Sequence, residues 1–255
     1  MRSTCFVAVA FLCFAFSGCG GGSSATSTLT LTSGNWDFAG ASVSGTNFTI
    51  GGNVTQSGSA ISGTVRVINS PCFATTTAVP VSGSISGQTA TITSASITNQ
   101  TITATLSGSA TSLTGKYSVS GTGCAAGDSG TLSGVLVPSI SGAWTGTFIS
   151  SALGNPQVGV SAPITEGAAD STGIFALSGT AAFSGSSCFS TGNMATGSAI
   201  AGRIADLIIK NNDGSTAEFV GTLTNPAAPT QMTGTYTVTG GLCDGDSGTG
   251  TLTKQ

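Results

Sequence analysis

Leu113-Thr114-Gly115-Lys116-Tyr117-Ser118-Val119, followed by Cys124 and Gly127-Asp128-Ser129-Gly130, returns as Met232-Thr233-Gly234-Thr235-Tyr236-Thr237-Val238, followed by Cys243 and Gly245-Asp246-Ser247-Gly248. Self-similarity of this kind means one structural unit used twice. Working outward, Ser70-Pro71-Cys72-Phe73 is matched by Ser186-Ser187-Cys188-Phe189, and Ser33-Gly34-Asn35-Trp36 by Ser141-Gly142-Ala143-Trp144. The displacement between matched residues grows from 108 at the tryptophans to 116 at the first cysteines and 119 at the tyrosines. The second copy has therefore gained a few loop residues. Two tandem domains are expected, 32–138 and 139–255, with Pro138 at the seam.

Inside each copy the apolar residues alternate with Ser and Thr, as in Thr101-Ile102-Thr103-Ala104-Thr105-Leu106, which is the period of a half-buried strand. Turn signals such as Ser57-Gly58-Ser59, Ser86-Gly87-Gln88 and Asn211-Asn212-Asp213-Gly214 separate the runs. Copy one gives eight strands, near 35–39, 46–56, 60–68, 78–86, 89–98, 101–107, 112–121 and 129–137. Copy two gives eight more, near 143–149, 157–165, 173–183, 194–201, 203–210, 215–224, 231–239 and 247–254. No amphipathic pattern of helical length interrupts them. The fold class is all-β, with each copy an eight-stranded antiparallel meander that can close into a barrel and so remove its edges. A two-sheet sandwich is the alternative.

Composition narrows the function. Only 6% of the residues are charged, 39 of 255 are glycine, and histidine is absent. Disorder is excluded, because disordered chains pair low hydrophobicity with high net charge. Here the mean hydropathy is +0.34 and the net charge is −3. Six Lys+Arg cannot neutralise a phosphate track, so no nucleic acid partner is expected.

The first residues carry their own message. Met1-Arg2-Ser3-Thr4 is a short positive region, and the apolar run Cys5–Phe16 is too short to span a bilayer. This is the pattern of a signal peptide. It ends in Phe16-Ser17-Gly18-Cys19, which resembles the bacterial lipobox, with Phe16 standing where that motif prefers Leu. The resemblance implies a signal peptide over 1–18, cleavage before Cys19, and lipid on the sulfur and new amine of Cys19. Residues 19–31, opening with Gly20-Gly21-Gly22-Ser23-Ser24, would be a flexible tether behind the anchor. Ordinary secretion with cleavage elsewhere is the alternative. The expected location is the cell envelope, lipid-anchored to a membrane (the bacterial outer membrane) and extracytoplasmic.

Cys5 and Cys13 leave with the signal peptide and Cys19 carries lipid, so Cys72, Cys124, Cys188 and Cys243 remain. Four cysteines in an exported chain read as two disulfides. No Cys-x-x-Cys and no His exist to build a metal site, and no metal or cofactor is expected. The expected pairs are Cys72–Cys124 and Cys188–Cys243. Each pair lies within one copy, and in a meander alternate connections share one end of the sheet. Each bond would staple a lid over a barrel mouth.

The Gly-x-Trp opening of each copy resembles the first strand of calycins, the group that includes lipocalins and avidin-like barrels. The resemblance implies that Trp36 and Trp144 pack into one end of each barrel. The copies lack the aromatic pocket lining usual in that group.

Gly127-Asp128-Ser129-Gly130 and Gly245-Asp246-Ser247-Gly248 match the tetrapeptide around the nucleophile of chymotrypsin-like proteases, but that serine needs a histidine base and none exists. The tetrapeptides read instead as turns, with Asp in an Asx role and Gly at positive φ. Asp244 and Asp246 could approach one Ca²⁺ but lack a full ligand loop. Copy one has only Asp37 and Asp128 as acids, too few for paired-carboxylate hydrolysis of a glycoside. Arg66, Lys116, Arg203 and Lys210 read as solvated positions along strands. The chain is therefore expected not to be an enzyme. The expectation is a binding or surface-interaction module toward a glycan, an envelope component or another protein. A carrier of a small apolar ligand is the alternative. Hollow or filled barrels discriminate the two.

Overall fold

Alternating small β-branched and hydroxyl residues give strands that are apolar on one face only, and a sheet of such strands buries that face by closing on itself or by packing on a second sheet. The computed structural model of the protein describes residues 27–45, 47–73, 77–151, 157–188 and 190–255. The first copy folds as β1 (Gly34–Ser42), β2 (Phe48–Ser57), β3 (Ala60–Asn69), β4 (Val79–Ser86), β5 (Thr89–Ser94), β6 (Gln100–Gly108), β7 (Ser112–Gly121) and β8 (Ser129–Leu136). Each strand pairs antiparallel with the next, and β8 returns to β1, with Phe38 opposite Gly134. This is barrel 1, a closed meander.

Barrel 2 is built from β9 (Gly142–Ser150), β10 (Gln157–Ala169), β11 (Phe175–Ser184), β12 (Thr191–Met194), β13 (Ala199–Ala201), β14 (Ile204–Asn211), β15 (Thr216–Leu223), β16 (Gln231–Thr239) and β17 (Ser247–Lys254). It closes in the same order, through β17–β9 and β9–β10–β11. One difference from the sequence reading stands out. The single fourth strand expected near 194–201 is broken: β12 and β13 each pair with both β11 and β14 and share one place in the ring. Gly197, at φ 104°, turns the chain between them. Both barrels are thus eight-stranded, and the sandwich alternative is set aside.

The interiors are packed. Trp36 and Trp144 are wholly buried. Each indole N–H donates to a carbonyl four residues earlier, Thr32 at 3.0 Å and Ile140 at 2.8 Å. The segment before each first strand plugs that end, with Leu29 and Leu31 in barrel 1 and Val137 and Ile140 in barrel 2. The opposite ends are closed by disulfides, Cys72–Cys124 and Cys188–Cys243. In barrel 1 the buried Gln100 ties the two stapled loops together, donating to the Cys72 carbonyl at 3.3 Å and accepting from the Ala125 amide at 2.6 Å.

The barrels dock side by side. The β13–β14 turn, Gly202-Arg203, lies against the outer face of β1 and β2. Gly202 and Gly51 meet backbone to backbone, and a Cβ on Gly51 would stand 2.4 Å from the Gly202 Cα. Asn35 clasps Gly202, its Oδ1 accepting from the amide at 2.7 Å and its Nδ2 donating to the carbonyl at 3.1 Å. Arg203 forks onto Asp37, with Nη2 at 2.6 Å from Oδ2 and Nε at 3.0 Å from Oδ1. The Asp37 side chain is only 1% exposed. Arg203 is therefore not the solvated position expected from the sequence, because it is engaged with the first barrel across the joint.

Candidate functional site

Three places in this fold could take a ligand: the barrel interiors, the stapled rims, and the outer surface where the barrels meet.

The interiors are nearly full. Barrel 1 holds a cavity of about 50 Å³, walled by Phe38, Ile92, Ala104 and Leu132 among others. Its cause is legible in the register. Ala104 opposite Ile92 occupies the place held in barrel 2 by Phe219 opposite Leu207. The Phe219 ring stacks on Phe148 at 5.1 Å, and Phe148 on Tyr236 at 4.8 Å. Gly221 and Gly250 leave that ring its space, since a Cβ on either would stand 2.6–2.7 Å from it. Small-molecule sites occupy roughly 300–1,000 Å³, so the barrel 1 cavity is too small for an apolar cargo, and in barrel 2 the Phe219, Phe148 and Tyr236 stack takes up the corresponding space.

The rims carry a matched polar cluster. Asp128 accepts from the Tyr117 hydroxyl at 2.9 Å and from Ser42 at 2.7 Å. Asp246 accepts from Tyr236 at 3.0 Å and from Ser150 at 2.6 Å. Burial and the adjacent carboxylate push both tyrosine hydroxyls up to about 12. Burial works to raise the Asp128 carboxyl, but the donors Ser42, Tyr117, the Ser129 amide and Ser44 outweigh it and hold it below the usual range. The Gly-Asp-Ser-Gly tetrapeptides are turns with Gly127 and Gly245 at φ 81° and 83°. The aspartates are more than Asx residues, however, because each binds the first and seventh strands of its barrel to the loop before the eighth. A hollow of about 50 Å³ beside Tyr236, Asp246 and the Cys188–Cys243 bond is too small for a substrate.

Outside, the concavities are larger. Between β3 and the β13–β15 face runs a cleft of about 440 Å³. Its walls are chiefly aliphatic, with Val67 and Ile68 from barrel 1 facing Ile174, Ile204 and Val220 from barrel 2, and its ionisable groups are Arg66 and Asp206. Burial, with help from the Glu218 charge on the neighbouring strand, pushes the Asp206 carboxyl up to about 6. Asp206 Oδ1 is buried, and no described group donates a hydrogen bond to it. Two further grooves lie on barrel 2 alone, of about 420 Å³ along Thr180, Asn193 and Lys210 and about 370 Å³ along Thr235, Thr237 and Thr249. The cleft escaped the sequence reading because its walls belong to different copies.

Cys19 and the whole of 1–26 lie outside the described residues. The four remaining cysteines form the two disulfides, a chemistry that belongs to an oxidising, extracytoplasmic compartment. Asp244 and Asp246 turn to different partners, Asp244 accepting from the Gly240 amide at 2.7 Å. Among the described residues no group of three or more Asp, Glu, Cys or His is placed to hold a metal ion, and no helix is long and apolar enough to cross a membrane.

These observations define a class, a pair of tandem eight-stranded meander barrels with plugged and stapled ends, which is consistent with a repeated calycin-like plan. No protein-family pattern matches the chain, and no curated protein sequence matches it. Among solved structures it is similar to the crystal structure of kievitone hydratase from Nectria haematococca, with 12% identity over 86% of this chain and 88% of that one, at a TM-score of 0.23. A likeness at that score assigns no activity, substrate or site here. It does correct one expectation. The chain was expected not to be an enzyme, and the structure it matches along most of its length is an enzyme's. The physical weakness of the exclusion lay in its reliance on histidine and paired acids, since single carboxylates and tyrosines also move protons.

Proposed function

We propose that the protein is a lipid-anchored, extracytoplasmic binding module whose ligand sits on the outer surface of the barrels and not inside them. In this reading Cys19 carries the acyl chains, 19–31 links it to barrel 1 with Leu29 and Leu31 already seated in that barrel's end, and the domains 32–138 and 139–255 are held out from the membrane. A glycan, an envelope component or a protein are the partner classes considered from the sequence. The supporting observation is the contrast in free volume: about 50 Å³ inside barrel 1 against about 440 Å³ in the cleft between the barrels. The same contrast weighs against a carrier of a small apolar ligand.

Two measurements test the proposal. Expression of the full chain in a bacterial host should yield an acylated N-terminal Cys19 by mass spectrometry and protein in the membrane fraction, and Cys19→Ala should release it. A soluble product beginning elsewhere would refute the anchor. Titration of methyl-labelled protein with a long-chain fatty acid should leave the Ile92 and Leu106 resonances, which report the interior of barrel 1, unmoved. Saturable shifts there would restore the carrier.

A further inference from the structure

The two copies act as each other's control. Aligned through the turns Gly87-Gln88 and Gly202-Arg203, Thr91 corresponds to Asp206, Thr103 to Glu218 and Thr105 to Val220. In barrel 1 this outward face is a hydroxyl ladder, with Thr93 and Thr103 at 3.4 Å. The barrel therefore closes without charge or aliphatic bulk at these positions. In barrel 2 the same face carries Ile204, Asp206, Glu218 and Val220, with Val220 40% exposed. The fold does not ask for these residues, and three of them, Ile204, Asp206 and Val220, line the cleft.

Asp206 is costly where it stands. A carboxylate oxygen buried without a donor loses its hydration and gains nothing in return. Arg66, the other ionisable group of the cleft, is directed elsewhere. Its Nη2 donates to Thr172 at 3.1 Å, and its charge lowers the Asp170 carboxyl, whose largest stabilising contact is the Thr172 hydroxyl. Arg203 is committed to Asp37, and Lys210 donates to Thr216 at 3.0 Å. The cleft thus presents an aliphatic wall and the Asp206 carboxylate, one oxygen of which lacks a donor, with the Glu218 charge on the next strand acting on it from outside the lining. Such a surface is complementary to a cation that brings its own N–H donors and a hydrocarbon body.

We propose that the cleft between the barrels binds a small primary amine with an apolar body, the ammonium donating to Asp206 and the hydrocarbon lying along Ile68, Ile204 and Val220. The volume of about 440 Å³ suits a small molecule. This inference rests on the outer-surface reading above, and the test separates the two.

Methyl-labelled mature protein is titrated with n-octylamine, n-octanol and octanoate at about pH 8, where the carboxyl is ionised and the amine protonated. Octylamine should shift the Ile68, Ile204 and Val220 methyls saturably and bind at least about tenfold more tightly than octanol. Asp206→Asn should bring octylamine to the level of octanol, and Glu218→Gln should weaken it less. Tighter binding of octanoate, or of octanol equal to octylamine, or an Asp206→Asn variant that binds as before, would overturn amine recognition while leaving an outer-surface site standing. Shifts at Ile92 and Leu106 in place of the cleft methyls would overturn both readings. The absence of any shift with octylamine would overturn the amine site alone.

Discussion

Gly87-Gln88 in barrel 1 and Gly202-Arg203 in barrel 2 are the same turn, and each holds whatever precedes its barrel. The Gly87 carbonyl accepts from the Leu29 amide at 2.8 Å, and the Gln88 side chain donates to Ser27 at 2.8 Å, so this turn grips the incoming chain. In barrel 2 Gly202 and Arg203 grip Asn35 and Asp37, the first strand of the other barrel. The change from Gln to Arg in the turn, with Asn35 and Asp37 standing where the second copy has Ala143 and Thr145, makes a barrel–barrel joint of what in barrel 1 is a clasp on the segment before β1. Duplication supplied the scaffold, and divergence on the outer face of the second copy supplied the joint and the cleft beside it.

The stapled rims are where the barrels should behave most alike. The disulfides close loops of 52 and 55 residues. The chain-entropy relation gives about 4 kcal/mol for either. Replacing Cys72 and Cys124 by Ala, or Cys188 and Cys243 by Ala, should lower stability by similar amounts in urea unfolding. A difference of more than about 2 kcal/mol between the two variants would show that the loops are not equivalent.

The joint is where they should differ most. Arg203→Gln leaves the Asp37 carboxylate buried without its counter-charge and should cost about 3 kcal/mol. Adding Asp37→Asn should recover a large part of that in a double-mutant cycle. The corresponding change in the other turn, Gln88→Arg, meets no carboxylate and should stay within about 0.5 kcal/mol of the parent. An Arg203→Gln variant as stable as the parent would mean that the ion pair does not hold the joint.

The contrast also marks what could be read from the residues alone. Period-2 alternation, turn dipeptides and the returning motifs were enough for the strand series and its closure, because each of these is local. The joint was not legible. Asn35 and Asp37 lie 166–167 residues from the Gly202 and Arg203 they bind, and no local pattern marks a lone charge as covered. The break between β12 and β13 turns on Gly197 in a run that otherwise alternates. The cleft left one trace that copy-to-copy alignment could have found: threonines at 91, 103 and 105 against Asp, Glu and Val at 206, 218 and 220.

The tyrosines sharpen the comparison at the rims. Asp128 keeps two serine donors, Ser42 and Ser44, when Tyr117 loses its hydroxyl. Asp246 keeps Ser150 among the contacts described above. Tyr236→Phe should therefore cost about 2 kcal/mol and Tyr117→Phe about 1 kcal/mol. These are the only two tyrosines in the chain, so absorbance reports both. Because each hydroxyl is pushed up to about 12, the tyrosinate signal should stay low to about pH 11. The folded state holds these protons more tightly than the unfolded one, so their contribution is complete below pH 10 and is lost as pH rises toward 12. A normal titration near pH 10 would refute the buried contacts.

The smallest effect concerns Asp206, whose counterpart Thr91 carries no charge. With its carboxyl raised to about 6 from an ordinary value of 3.8, the folded protein binds that proton more tightly than the unfolded chain. Stability from this group is therefore present at low pH and falls as pH rises from about 4 through 6. The side chain is half-buried, so solvent screening cuts the effect to about 1 kcal/mol at neutral pH. Carboxyls held low, such as Asp128 and Asp170, act in the opposite direction over an adjoining range. The quantity to measure is thus the difference between the parent and Asp206→Asn, in which those terms cancel. Asp206→Asn should be more stable than the parent at pH 7 by up to about 1 kcal/mol, and the gap should close at pH 4. A residue that lowers stability, absent from the copy that lacks the cleft, is what selection for binding leaves behind. If Asp206→Asn is instead less stable at pH 7, the carboxylate is part of the scaffold and the argument from divergence loses its basis.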